Sequence, residues 1–219
     1  MIRLVNVSKT YRRGAEEVRA LRAVSLEIRP AEFVSVIGPS GSGKTTLLQI
    51  LGCLDTPTSG TVFFDNIEVD SMAEKQLVAL RRERIGFIFQ QFHLIPGLTV
   101  FDNIALPLLF ARKKIEQSHI LELAERVGLE GRLNHVPAQL SGGEMQRTAI
   151  ARALVNSPEI ILADEPTGNL DSVNSDRIFG ILQELNQTGL TIVMITHNNE
   201  LAARAGRSVQ IRDGNIFSA

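Results

Sequence analysis

The segment Gly38-Pro39-Ser40-Gly41-Ser42-Gly43-Lys44-Thr45 constrains this chain more than any other. It fits G-x-x-x-x-G-K-[ST] without a gap. The apolar run Phe33 to Ile37 precedes it, and the helical Thr45-Thr46-Leu47-Leu48-Gln49-Ile50-Leu51 follows. That strand and that helix separate a phosphate loop from a Gly-Ser turn ahead of an ordinary helix. Glycines let successive backbone N–H groups turn inward around anionic oxygens, and the first turn of a helix adds favourable potential. In such a loop Lys44 neutralises the β- and γ-phosphates while the Thr45 hydroxyl ligates Mg²⁺. The chain is read as binding a nucleoside triphosphate.

The rest of the chain has the pattern of an α/β protein. Apolar runs at Phe33 to Ile37, Ile85 to Phe89, Glu159 to Ala163, Leu190 to Ile195 and Ser208 to Arg212 alternate with helix-length segments. All but the last show little polar alternation, as strands covered on both faces do. Ile2 to Val7, Val24 to Ile28 and Thr61 to Phe64 are separated by polar stretches, and predict a more antiparallel layer. From Gln91 to Pro158 the strand signal disappears. Val100 to Phe110 and Glu144 to Val155 are helix-length, and Ile120, Leu123, Ala124 and Val127 lie on one helical face, so a helical lobe is expected here. A further helix, Val173 to Leu185, is expected to bury Val173, Ile178, Ile181, Leu182 and Leu185.

With 219 residues, the chain suits one compact unit carrying a lobe or insertion. Lys and Arg number 23 against 24 Asp and Glu, for a net charge of −1, which gives no electrostatic footprint for nucleic acid. The longest apolar stretch, Ile104 to Ala111, is broken by Pro107 and falls short of the roughly 20 residues a membrane helix needs. No secretory signal opens the chain and Cys53 is its one cysteine. A cytoplasmic protein without an internal disulfide or cysteine-cluster metal site is expected.

Two further segments carry chemistry. Ile160-Ile161-Leu162-Ala163-Asp164-Glu165 is an apolar strand ending in two acids. Alone it could turn into solvent; beside a phosphate loop, Asp164 can hold the Mg²⁺ that Thr45 contacts, and Glu165 can orient or deprotonate an attacking water. In Leu140-Ser141-Gly142-Gly143-Glu144-Met145-Gln146-Arg147, Ser141 can cap the helix that follows, and Gly142 and Gly143 leave its first N–H groups open to an anion. A second phosphate-accepting helix end, on a different lobe, points to a nucleotide shared between two copies.

The chain resembles the ATP-binding subunits of ABC transporters over nearly its whole length, with Leu140-Ser141-Gly142-Gly143 as the signature motif of that family. Within it, Gly86-Phe87-Ile88-Phe89-Gln90-Gln91-Phe92-His93-Leu94-Ile95-Pro96 and Leu162-Ala163-Asp164-Glu165-Pro166-Thr167-Gly168-Asn169-Leu170-Asp171 are similar to the lipoprotein-release and macrolide-export (LolD and MacB) branch. Glu144, where many relatives have Gln, and Asn198, where Asp is frequent, are mild departures.

The resemblance implies a P-loop NTPase (RecA-like) core with an antiparallel β subdomain and an inserted α-helical subdomain. It makes residues 1–219 a single domain, with 1–90 and 158–219 as the core and 91–157 as the helical signature lobe. It assigns Tyr11 to stacking on adenine, although a tyrosine at a strand end could equally pack on the core. Gln90 falls at the glutamine that contacts Mg²⁺ and the attacking water; it could instead end a strand, and Gln91 leaves the register open by one. Asn169-Leu170-Asp171 falls on the loop along the interface between two nucleotide-binding chains, and Asp171 can also cap a helix beginning near Ser172. His197 is placed as a switch at the γ-phosphate; His93, His119 and His135 are expected on the surface.

The implied cycle holds ATP and Mg²⁺ on Lys44, Thr45, Thr46, Gln90 and Asp164 of one chain, under Ser141 and Gly143 of another, with hydrolysis at Glu165. The partners implied are a second copy, integral membrane permease subunits and periplasmic accessory proteins, with no nucleic acid, and the place is the inner face of the cell membrane. A soluble ABC-type ATPase working on DNA or ribosomes is the alternative. It is weakened by near-neutral charge, by a compact lobe where chromosome-maintenance relatives insert coiled coils, and by a single phosphate loop. A GTPase is disfavoured because no Asn-Lys-x-Asp motif is present.

Overall fold

The computed structural model describes residues 1–14 and 16–218, so Ala15 and Ala219, which the single-domain expectation includes, lie outside the described residues. In chain order the first strands are β1 (Ile2–Arg13), β2 (Glu16–Ile28), β3 (Phe33–Ile37), β4 (Ser59–Phe64) and β5 (Ile67–Glu68). They are followed by β6 (Ile85–Phe89), β7 (Ile160–Asp164), β8 (Thr191–Ile195), β9 (Arg207–Arg212) and β10 (Asn215–Ser218). Among the described residues these form a four-stranded sheet ordered β2-β1-β4-β5 and a six-stranded sheet ordered β10-β9-β3-β8-β7-β6.

The first sheet is antiparallel throughout, while the second is parallel except for the terminal β9–β10 hairpin. The difference follows from residue type. β7 and β8 are buried along almost their whole length, which requires cover on both faces, whereas β2 alternates in its second half and faces the core on one side only. The expected α/β architecture with an antiparallel layer is the one observed.

Seven helices complete the described fold: α1 (Lys44–Leu51), α2 (Glu74–Arg84), α3 (Val100–Phe110), α4 (Gln117–Arg126), α5 (Gly142–Leu154), α6 (Ser172–Gln187) and α7 (Asn199–Ala203). Between residues 91 and 158 the described residues hold α3, α4 and α5 and no strand. The parallel sheet divides the core into two apolar clusters. On one face Val34, Val36, Leu162 and Val193 meet Leu47, Leu51 and the antiparallel layer through Ile2 and Leu4. On the other, Phe33, Ile161 and Ile192 meet Ile104, Ile150 and Phe179 from the helices. Full burial of such side chains contributes about 1.5–3 kcal/mol each, so the sheet is clamped from both sides.

Three local expectations need correction. β1 and β2 run well beyond Ile2 to Val7 and Val24 to Ile28; register shifts between Leu4 and Thr10 break the two-residue alternation that marks a strand. Val173 is 77% exposed, because Asp171 caps α6 and sets its start at Ser172, turning Val173 outward on the first turn. His119 and His135 are half-buried, and the His119 ring Nε2 lies 3.1 Å from the Val155 carbonyl.

Candidate active site

Register places the chemistry. Phe89 pairs with Asp164, Asp164 with Ile195, and Ile195 with Val36, so the carboxyl ends of β6, β7, β8 and β3 form one row. The residues just beyond each strand, Gln90, Glu165, His197 and the glycine loop, therefore emerge at a single edge of the sheet. This is the edge where open α/β sheets carry their ligands. A cleft of about 610 Å³ opens there, lined by the phosphate loop, Asp164, Glu165, His197 and Tyr11, with Val18, Arg19 and Ala20 of β2 as its far wall. A second depression of about 560 Å³, lined by Pro158, Glu159, Leu190 and Thr191, lies at the opposite ends of the strands and contains none of these groups.

The glycine loop fits a phosphate chain sterically. Gly43 caps α1 with φ 106°, and a Cβ there would stand 2.3 Å from the Ala20 carbonyl oxygen. At Gly38 a Cβ would stand 2.1 Å from the Ile211 carbonyl oxygen. Both positions exclude side chains, and the loop is left as bare backbone facing the cleft. The Lys44 ammonium donates to the carbonyls of Gly38 (2.8 Å) and Pro39 (2.9 Å), which holds the cation across the loop. Thr45 and Thr46 also line the cleft. Ser42 does not: its side chain is buried beneath the loop, its hydroxyl has no partner, and its backbone is bonded to the Pro39 carbonyl and the Gly214 N–H.

Asp164 and Glu165 end β7 in different ways. Burial pushes the Asp164 carboxyl above its ordinary pKa and the neighbouring Glu165 adds to this, while the Lys44 charge and a hydrogen bond with Thr45 pull the other way. A carboxylate and a hydroxyl in contact form an oxygen donor set suited to a hard cation, and a divalent charge would offset the repulsion between the two acids. Among the described residues no three His, Cys, Asp or Glu side chains converge as a protein-only metal site. Mg²⁺ fits here only with phosphate oxygens as further ligands, its usual mode.

Glu165 has φ 48°, in the left-handed region that a glutamate seldom adopts, and strain of this kind collects at functional sites. Its backbone N–H donates to the Ile195 carbonyl at 3.0 Å. Its carboxylate Oε2 accepts from the His197 backbone N–H (3.3 Å) and lies 2.8 Å from the His197 ring Nδ1. A carboxylate only accepts, so Nδ1 carries the ring proton in this contact.

Gln90 stands apart from the cleft lining. Its side-chain amide donates to Asn169 Oδ1 at 3.2 Å, and Asn169 returns a bond to the Gln90 carbonyl at 3.0 Å. The fully buried Gln146 of α5 ties the same region together, donating to the carbonyls of Pro166 (2.6 Å) and Phe89 (3.3 Å). The sequence places Asn169 on the interface loop but gives no sign of its contact with Gln90, and nothing in the sequence marks the role of Gln146, because both act through backbone or amide contacts between residues far apart in the chain.

The signature residues also lie outside the cleft. Ser141 caps α5: its hydroxyl accepts from the Glu144 backbone N–H (3.3 Å) and donates to Glu144 Oε2 (2.9 Å). Arg132 holds Glu144 Oε1 at 2.7 Å, and this charge, with the Ser141 N–H, pulls the Glu144 carboxyl down to about 2. Asp171 caps α6, accepting from the Asn174 N–H at 2.8 Å, and backbone and side-chain bonds to Asn174 hold its carboxyl below the ordinary range. Gly143 faces Asn174 so closely that a Cβ would stand 2.3 Å from Asn174 Oδ1. Ser141, Gly142 and Asp171 thus share one surface, separate from the phosphate loop, while Gly143 is buried under Asn174 rather than open to an anion as the sequence suggests.

A family model described as ABC transporter matches residues 21–168, from β2 through the loop after β7. The chain belongs to the ABC transporter ATP-binding family. It is 48% identical over 218 residues to the ABC transporter ATP-binding protein YvrO of Bacillus subtilis, with 99% of this chain and 95% of that protein aligned. It is 50% identical over 219 residues to the macrolide export ATP-binding/permease protein MacB of Chlorobium luteolum, spanning all of this chain and 33% of MacB. Among solved structures, the dimeric bacterial ABC transporter cassette MJ0796 superposes with a TM-score of 0.90 at 48% identity, covering 99% of this chain and 96% of that one. A dimer of the same cassette in a post-hydrolysis state, bound to ADP and Pi, superposes with a TM-score of 0.91 at 46% identity, covering 100% and 98%.

Proposed function

We infer that this chain is the ATP-hydrolysing motor subunit of an ABC transporter, working as a pair of copies that enclose two ATP and drive a membrane permease for export or extrusion. The observation that carries the reading is the row of strand ends. It sets Lys44, Thr45, Asp164, Glu165 and His197 around one cleft, and the capped signature helix lies outside that cleft, which supports a role for it on the nucleotide of a second copy.

In this reading the loop backbone and Lys44 bind the phosphates, and Tyr11 takes the adenine. Thr45 and Asp164 hold Mg²⁺, which when bound shields the phosphate charge that develops during transfer. Glu165 accepts a proton from the attacking water, and His197 holds that carboxylate in place through Oε2. Gln90, on the row but bonded to Asn169, reaches the cation site only on leaving that partner. Ser141, Gly142 and Gly143 close over the nucleotide of the second copy, with Asp171 along the seam.

Residues 91–157 act as the lobe that carries the signature, and they border a groove of about 430 Å³ containing Phe87, Phe89, Leu106, Pro107 and Phe110. Phe110 is 74% exposed, and this apolar groove is suited to a permease segment. Among the described residues no helix is long and apolar enough to cross a membrane; in this reading the motor sits peripherally at the inner face of the membrane, against a permease. MacB, whose name joins ATP-binding and permease parts in one protein, supports that pairing. Periplasmic accessory proteins belong to the same reading.

Release of phosphate from ATP by the purified protein, with and without the Glu165→Gln substitution, tests the assignment. A positioned general base contributes about 10²–10⁴-fold, so the variant should fall by that range while still binding ATP. Equal turnover in the two proteins would remove Glu165 from its role.

A further inference from the structure

Tyr11 is held by two residues that the family motifs do not include. It lies on β1 opposite Val18 of β2, in the antiparallel layer rather than on the parallel core that carries the phosphate loop. Its hydroxyl donates to Asp55 Oδ2 at 2.8 Å. The other carboxylate oxygen, Oδ1, accepts from Lys9 Nζ at 2.6 Å and from the Thr56 backbone N–H at 2.8 Å. Lys9 also donates to the Thr56 carbonyl at 2.7 Å, and its ammonium lies 5.0 Å from the centre of the Tyr11 ring. The Lys9 side chain is only 12% exposed. Burial alone would raise the Asp55 carboxyl, but the bonds from Lys9, Tyr11 and Thr56 outweigh it and hold it below its usual value.

Asp55 itself is anchored to the phosphate-loop helix. The N–H groups of Leu54 (2.8 Å) and Asp55 (3.3 Å) both donate to the carbonyl of Gln49 in α1. At the other end of that helix Thr46 lines the same cleft as Tyr11. The platform on β1 is thereby tied through Asp55 to the C-terminal end of α1, across a sequence gap that no local pattern bridges. Lys9 lies against the ring, and a tyrosine held by its hydroxyl cannot swing about χ1 without breaking a bond to a carboxylate.

We propose that Asp55, braced by Lys9, is a positioning residue for nucleotide binding: it fixes the Tyr11 ring at a set distance and orientation from the phosphate loop, so that a purine nucleotide spans the two. The proposal rests on the reading of Tyr11 as the adenine platform. Asp55 and Lys9 touch no nucleotide in this arrangement; they act through Tyr11.

The test compares ATP with inorganic tripolyphosphate, which has the phosphates but no base, on the full chain. Loss of one part-buried hydrogen bond, felt by the ligand only through the position of the ring, should weaken ATP binding by about three- to tenfold in Asp55→Ala, with tripolyphosphate affinity unchanged. Asp55→Asn, which keeps an acceptor for the hydroxyl, should recover most of the loss. Tyr11→Phe should match Asp55→Ala, and the double variant should be no weaker than either single one. An equal loss for tripolyphosphate, or additive losses in the double variant, would overturn the proposal by making Asp55 a general support of the loop. If Tyr11→Ala weakens ATP binding but Asp55→Ala and Tyr11→Phe do not, the positioning role fails and the platform stands. If Tyr11→Ala binds ATP as the parent does, the platform reading fails and the positioning role with it. Should Asp55→Ala not fold, Tyr11→Phe with unchanged ATP affinity is itself sufficient to reject the proposal.

Discussion

Replacing Ser141 by Ala separates a helix cap from a ligand. In the free chain the hydroxyl makes two contacts, one from the Glu144 N–H and one to Glu144 Oε2, while the Ser141 N–H and Arg132 keep their own hold on the same carboxylate. Half of the capping box therefore survives the substitution, and the loss of stability should be about 1 kcal/mol, or roughly 2–4 °C in Tm for a chain of this size. If Ser141 also donates to a phosphate of the opposing copy's nucleotide, a hydrogen bond to a charged group is lost as well, worth about 1.5–3 kcal/mol. The hydroxyl must leave an anionic partner, Glu144, to make that bond, which puts the net effect at the lower end, about tenfold in turnover. Steady-state hydrolysis measured well below Tm, alongside ATP affinity measured under conditions where the protein is monomeric, distinguishes the two roles. We expect turnover to fall by about tenfold or more with monomer affinity unchanged. Turnover within twofold of the parent would leave Ser141 as a cap alone, and an equal fall in monomer affinity would place its nucleotide on the same chain.

Glu144 gives a pH-dependent counterpart. Its pKa is lowered in the folded chain to about 2, so its contribution is present above the ordinary 4.5 and lost as pH falls toward 2. Glu144→Gln should be less stable than the parent at neutral pH, and the two Tm curves should converge on acidification through that window; parallel curves would show that Arg132 and Ser141 do not stabilise the charge. Gly43→Ala combines a φ of 106° with a Cβ 2.3 Å from backbone, so it should cost more than the about 1–3 kcal/mol of a strained residue alone and abolish ATP binding. A variant of unchanged Tm that still bound ATP would show that the loop can relax away from Ala20.

What could be read in the sequence depended on how local the cause was. β3, β6, β7 and β8 are short apolar runs covered on both faces, and hydropathy alone marks them to within a residue. The phosphate loop, the acid pair after β7 and the caps at Ser141 and Asp171 are likewise local, each specified by neighbours along the chain. α2 went unread because it is highly polar and buries only Leu80, so it has no apolar stripe to detect. The hairpin of β1 and β2 was shortened because its register shifts interrupt the alternation. Contacts across the fold were not legible at all. Gln90 with Asn169, Gln146 with Pro166 and Tyr11 with Asp55 are separated by 79, 20 and 44 residues, and only the folded sheet brings them together. The left-handed backbone at Glu165 belongs to the same class, since residue type argues against it and the bond to Ile195 holds it in place.

Two copies of the chain are read as sharing each nucleotide. Removing the base that ends the cycle should hold the shared state, so the mass of the Glu165→Gln protein in solution, measured by light scattering with saturating ATP, tests it most directly. The mass should shift from one chain to two with ATP, stay at one with ADP, and stay at one with ATP when Ser141→Ala is added. A Glu165→Gln protein that binds ATP and stays at one chain mass would contradict it.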